Sequence, residues 1–294
     1  MLNKGINRIN TLTTCTLKII LVEFSDIKHS DSRYWPMNPG LYGTARANYT
    51  RYSRTDFTNL ISSYNTYNTT SPDGDPVYGS MNDYYKDMSN NNFSLVAQVA
   101  NLDSAGYPRW VNMGTIKRYY MKPASGNEKQ IWYDAISYLN AQQGVSLSAD
   151  QNTKVVVIYA GNMYGTPEYA KDSSGLNPRL INDGYQDAGY VMSERAMVQS
   201  RGPFSENEAT FAHIGAHCHE FGHVLGLFDY YRLTNEWHKY WTLMSQGNDK
   251  GSSGQRGNCP APMSAIDRND LGWLNYTVVT GNNPNYQMPY SMNS

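Results

Sequence analysis

Between Ser205 and Asp229 the chain reads SENEATFAHIGAHCHEFGHVLGLFD, and this stretch limits the fold more than any other. It holds His219, Glu220 and His223 in an H-E-x-x-H pattern, followed by Gly226 and Asp229. Side chains four residues apart stand one turn above each other on a helix, so both imidazoles can reach one metal ion. Glu220, next to the first histidine, is placed to hold a water at the metal rather than the metal itself. Gly226 lets the helix end and the chain turn back. Asp229 can then bring a carboxylate to the same ion as a third ligand, with one position left open for water.

The helix is expected to start at Ser205, where Ser205 and Glu208 form a capping-box pattern. Phe211, Ile214, Cys218, Phe221 and Leu225 recur at helical spacing and would form one buried stripe, with His219 and His223 beside each other off its centre. His213 and His217 are also four apart. That pair lacks an adjacent glutamate and a suitably spaced downstream ligand, so it reads as structural or as support for the ligands. A lone histidine on a helix is more often a hydrogen-bonded core or surface residue, and an aspartate after a helix is often only a turn residue. The combined pattern, not any one residue, favours the metal.

A chain of 294 residues suits one large domain or two lobes flanking a cleft. Lys and Arg number 24 against 25 Asp and Glu, so no overall field attracts nucleic acid or an anionic membrane. Low charge (17%) with 25 tyrosines fits a secreted protein, and no apolar run is long enough for a transmembrane helix. The opening residues do not read as a signal peptide, because Lys18 interrupts the only apolar stretch; either an export signal has been removed or the protein stays inside. Cys15, Cys218 and Cys259 cannot all pair within the chain. A Cys218–Cys259 bridge and a buried free thiol at Cys218 both remain open.

Strands alternating with helices predict a mixed α/β lobe. Leu17 to Phe24 reads as a central strand, and Lys154 to Tyr159 as another buried one. A short helix is expected within Phe57 to Tyr64. Ser80 with Asp83 caps a helix through MNDYYKDM, after which residues 90–92 turn the chain into the strand FSLVAQVA. Ser125 with Glu128 opens a longer helix through Ile131, Ala135, Ile136 and Leu139, with its C-terminal cap at Gly144. Tyr190 to Gln199 is expected to supply one or two edge strands. WTLMSQG around Met244 reads as a compact apolar turn, 247–260 as a mobile loop, and Ser264 to Leu271 as a short helix ending near Gly272.

HCHEFGHVLGLFD resembles the metzincin clan of zinc peptidases, and its aspartate at the third ligand position resembles the immune inhibitor A family of secreted bacterial metallopeptidases. KIILVEFSD, SMNDYYKDMSNNNFSLVAQV, WTLMSQG and PAPMSAIDRNDLGWL follow in that family's order, so the resemblance runs from about Lys18 to Leu274. It implies an α/β (α+β) metzincin-like zincin, with a mixed twisted sheet and the active-site helix in an upper lobe above a smaller irregular lower lobe. A single catalytic domain is expected over 1–276, with the upper lobe at about 17–229 and the lower at about 230–276, then a polar tail or linker remnant at 277–294.

The resemblance also implies Zn2+ held by His219, His223 and Asp229, and Met244 as the methionine of the tight turn beneath the metal. Peptide bonds in protein or peptide substrates would be hydrolysed by a zinc-bound water activated by Glu220. A monomer is expected, with an edge strand within Tyr190 to Gln199 binding substrate backbone by strand addition. Phe228 departs from the family, which often has proline there. No tyrosine follows Met244 directly, which leaves Tyr230, Tyr231 and Tyr240 as candidates for a tyrosine contact with metal or substrate. Calcium is compatible with a secreted peptidase with long loops, but no ligand set for it is identifiable. The alternative is a catalytically silent zinc-containing binding protein of the same fold. Structural zinc sites usually close all four positions with protein ligands, often cysteine; three ligands plus a glutamate placed for water favour an enzyme.

Overall fold

The run Ile19–Val22 is apolar on both faces of its strand, which demands cover on both sides of its sheet. The computed structural model, which describes residues 13–25, 28–29, 52–101, 109–115, 127–143, 150, 152–162, 179–181, 188–197, 209–230, 239–251 and 257–274, supplies that cover. Strand β1 (Thr14–Glu23) lies at the middle. It pairs in parallel with β2 (Ser94–Val99) and β3 (Val111–Asn112) along one edge and with β4 (Thr153–Asn162) along the other. Beyond β4, also parallel, comes β6 (Gly189–Met197). The antiparallel strands β5 (Arg179–Ile181) and β7 (Ala209–Phe211) both pair with β6. The result is a mixed, curled sheet of the zincin-like α+β kind.

Alternate β1 residues point to opposite faces and build two cores. Cys15, Leu17, Ile19 and Leu21 join helices α1 (Arg54–Ser62) and α2 (Met81–Met88) and the metal-motif helix on one face. Ile20 and Val22 join β4 and helix α3 (Asn127–Gln143) on the other. Helix α1 begins three residues before Phe57 because Ser53 and Asp56 form a reciprocal capping box. The box expected at Ser80 and Asp83 is present and starts α2 at Met81. Ser125 and Gly144 lie outside the described residues.

Three expectations need correction, and one open alternative is decided. Helix α4 runs Ile214–Val224, not from Ser205; Ala209–Phe211 is strand, and Phe211 is buried from that strand rather than from a helical stripe. Pairing to β6 takes these three residues into the sheet before the helix can begin. Strand β6 is no edge, since β4 covers one side and β5 and β7 cover the other. The described parts of 247–260 are fixed in place: Gln246–Asp249 forms a 3-10 turn, Gly257 bonds to Asp249 and Lys250, and the Asn258 amide donates to the Pro76 carbonyl at 2.9 Å. Finally, Cys15, Cys218 and Cys259 are all free thiols, with Cys218 buried in the core and Cys259 exposed.

The last described segment packs under α2. Helix α5 (Ala265–Asp270) carries the Ser264–Asp267 capping box. Arg268 Nε donates to the Met88 carbonyl at 2.8 Å, and the Tyr84 hydroxyl donates to the Ala261 carbonyl at 2.8 Å. Trp273 stacks near Phe93. Among the described residues, no helix is long and apolar enough to cross a membrane.

Candidate metal centre

Helix α4 has no side-chain cap, as its N-cap residue His213 makes no capping hydrogen bond. A distant carbonyl does that work: Gly215 N–H donates to Gly257 O at 2.8 Å. The approach requires glycine, because a Cβ on Gly215 would lie 2.0 Å from Asn248 O and 2.7 Å from Gly257 Cα. The helix ends in a Schellman motif: Gly226 takes φ +96°, Gly226 N–H bonds to His223 O at 2.8 Å and Leu227 N–H to Gly222 O at 3.0 Å.

That cap orients a side chain as well as ending the helix. It places the Leu227 carbonyl 2.9 Å from His223 Nδ1. His219 Nδ1 lies 2.8 Å from the Leu243 carbonyl, on the turn before Met244. A carbonyl only accepts, so each ring carries its proton on Nδ1 and keeps the Nε2 lone pair for another partner. Both Nε2 atoms face one oxygen of Asp229: Oδ1 is 3.1 Å from His219 and 3.2 Å from His223. The three donor atoms lie within 4.8 Å of one another. Two neutral imidazoles and a carboxylate converging so closely, with tautomers already set, fit a divalent cation.

The same three groups also attract one another as imidazolium and carboxylate, a pairing that a bound cation would replace. Burial alone would push Asp229 up, but hydrogen bonds and charge from His219 and His223 outweigh it and hold the carboxyl well below the usual carboxylate range. Burial pulls His223 down, yet Asp229, the Leu227 carbonyl and the charge of Glu220 together raise it. Glu220 is buried on the same helix between the two histidines.

Met244 is fully buried against α4. A Cβ on Gly222 would sit 2.5 Å from Met244 Sδ, so glycine there lets the sulfur lie on the helix. Tyr230 N–H donates to Met244 O at 2.8 Å, tying the Asp229 segment to this turn. The other candidates fall elsewhere. Tyr230 gives its hydroxyl to Asp267 at 2.7 Å rather than to the triad, Tyr240 is exposed, and Tyr231 lies outside the described residues. Phe228, where the family often has proline, is 72% exposed beside Asp229. His217 points into the core, with its Nδ1 3.0 Å from the Tyr190 hydroxyl, and burial holds it down at about 3. The carbonyls of Leu227 and Leu243, and Asp267, were not foreseen. The first two are backbone atoms with no sequence signature, whereas Asp267 was visible as a capping residue.

Comparison with known proteins gives a consistent picture. Residues 205–274 match the family described as "Immune inhibitor A peptidase M6, catalytic domain". The chain is 25% identical over 304 residues to "Pre-pro-metalloprotease PrtV" of Vibrio cholerae serotype O1, in strain M66-2 and in strain ATCC 39315 / El Tor Inaba N16961. The alignment covers 90% of this chain but 31% of each relative, so the chain spans about a third of their length.

Proposed function

From the membership of this chain in the immune inhibitor A peptidase family, we propose that it is a zinc-dependent endopeptidase that hydrolyses peptide bonds in protein substrates. The observation that carries the reading is the convergence of His219, His223 and Asp229 within 4.8 Å, with both Nδ1 atoms committed to carbonyls. Zinc held there would polarise the scissile carbonyl and acidify the attacking water. Glu220 takes the proton of that water and delivers it to the leaving amine. Its burial beside the triad keeps it out of bulk solvent, where the transfer would compete with water. Met244 supports the helix from below, and the Schellman cap fixes the turn that brings Asp229 back.

With β6 paired on both sides, the antiparallel strand β5 is the edge among the described residues, against which a substrate backbone would lie. The reading keeps the H-E-x-x-H-x-x-G-x-x-D pattern as a metzincin-type site, the catalytic domain at 1–276, and action as a secreted monomer; the pre-pro form named for the relatives supports export.

The test is metal content of the purified protein together with casein or gelatin cleavage, with and without a chelator. About one zinc per chain, with chelator-sensitive cleavage lost in Glu220→Gln, is expected. Zinc without cleavage would favour the silent binding protein, and protein without zinc would end the reading.

A further inference from the structure

Asp229 stands on an irregular segment beyond the helix cap, its side chain 43% exposed, so neither helix nor strand fixes its position. What holds the segment is its next residue. Tyr230 is anchored twice, by N–H to Met244 O at 2.8 Å and by its hydroxyl to Asp267 Oδ1 at 2.7 Å. Asp267 is 1% exposed, and its two oxygens divide the work. Oδ2 accepts from Ser264 N–H at 3.2 Å and Ser264 Oγ at 2.8 Å to cap α5, and from Thr242 Oγ1 at 3.4 Å. Capping uses Oδ2 alone, which leaves Oδ1 for Tyr230.

The carboxylate therefore touches a neighbour of each of two triad supports. Thr242 precedes Leu243, whose carbonyl orients His219, and Tyr230 follows Asp229 itself. We propose that Asp267 is a positioning residue for the metal site, setting Asp229 through the Tyr230 hydroxyl; the inference rests on the zinc reading above. A carboxylate on a short loop outside helix and strand loses entropy when it binds an ion, and a side-chain anchor one residue away adds to the backbone bonds that reduce that loss. Ordering of this kind acts on metal affinity.

The experiment titrates zinc into metal-free protein against a competing chelator, for wild type, Tyr230→Phe, Asp229→Ala and the double variant. Tyr230→Phe removes only the hydroxyl, and circular dichroism before titration shows whether the fold is kept. About a tenfold weakening of zinc affinity is expected in Tyr230→Phe, with no further loss when it is added to Asp229→Ala. Asp267→Asn leaves one acceptor oxygen for the Ser264 cap and the Tyr230 hydroxyl together, so its zinc affinity is expected to fall as well; wild-type affinity in this variant overturns the proposal. An unchanged affinity in Tyr230→Phe overturns the proposal while leaving zinc binding intact. The same loss with and without Asp229 also overturns it, because the hydroxyl would then be supporting the site in general. Wild-type protein that takes up no zinc overturns the metal reading and this one with it.

Discussion

Helix α4 carries histidines four apart at both ends, and the two pairs have different fates. At the N-terminal end His217 faces the core, where burial holds it neutral beside the Tyr190 hydroxyl. At the C-terminal end His219 and His223 each donate Nδ1–H to a carbonyl and turn Nε2 toward one carboxylate oxygen. Spacing is identical, so spacing is not what separates them. The separation comes from the reversal after Gly226 and the turn at Leu243, which surround one end of the helix with acceptors and a carboxylate. A helix supplies the pair, and irregular chain makes it a site.

The largest expected effect tests the second pair directly. His223→Ala lowers zinc affinity by far more than the about 10–100-fold expected of a supporting group, as read by chelator competition. Glu220→Gln keeps zinc and loses about 10²–10⁴-fold in peptidase turnover; equal metal loss in both variants would break the distinction between ligand and base. Gly222→Ala pushes a methyl group into Met244, and the repacking costs about 1–3 kcal/mol in denaturant unfolding, with weakened zinc. The first pair answers differently. Tyr190→Phe, which removes the partner of His217, costs about 1 kcal/mol of stability and leaves zinc affinity unchanged. A tenfold loss of zinc in Tyr190→Phe would erase the contrast between the two ends.

Much of this was legible in the sequence because it is local. The Ser80–Asp83 and Ser264–Asp267 boxes each lie within four residues, and both helices start where those residues say. Within β1 and β4 the apolar runs Ile19–Val22 and Val155–Ile158 announce buried strands. The failures share a cause. Ser205 and Glu208 form an equally good box on paper, but strand pairing claims Ala209–Phe211 first. Gly247 and Gly257 look like loop freedom, yet at Gly247 the Thr242 carbonyl passes too close for a side chain and at Gly257 the backbone takes φ +77°. Cys218 and Cys259 are close enough in chain order to suggest a bridge, while the fold buries one and exposes the other. The triad could be read from spacing, but its orienting carbonyls could not, since every residue has one.

The carbonyl of Gly257 closes the first turn of α4, and that of Leu243 orients His219. A ribosome adds both only after the whole H-E-x-x-H stretch has been made. A nascent chain therefore holds every ligand and the base before it holds a working arrangement of them. The metal motif is thus complete along the chain well before it is complete in space, and a chain stopped between Asp229 and Leu243 would hold the three candidate ligands without the carbonyl that orients His219.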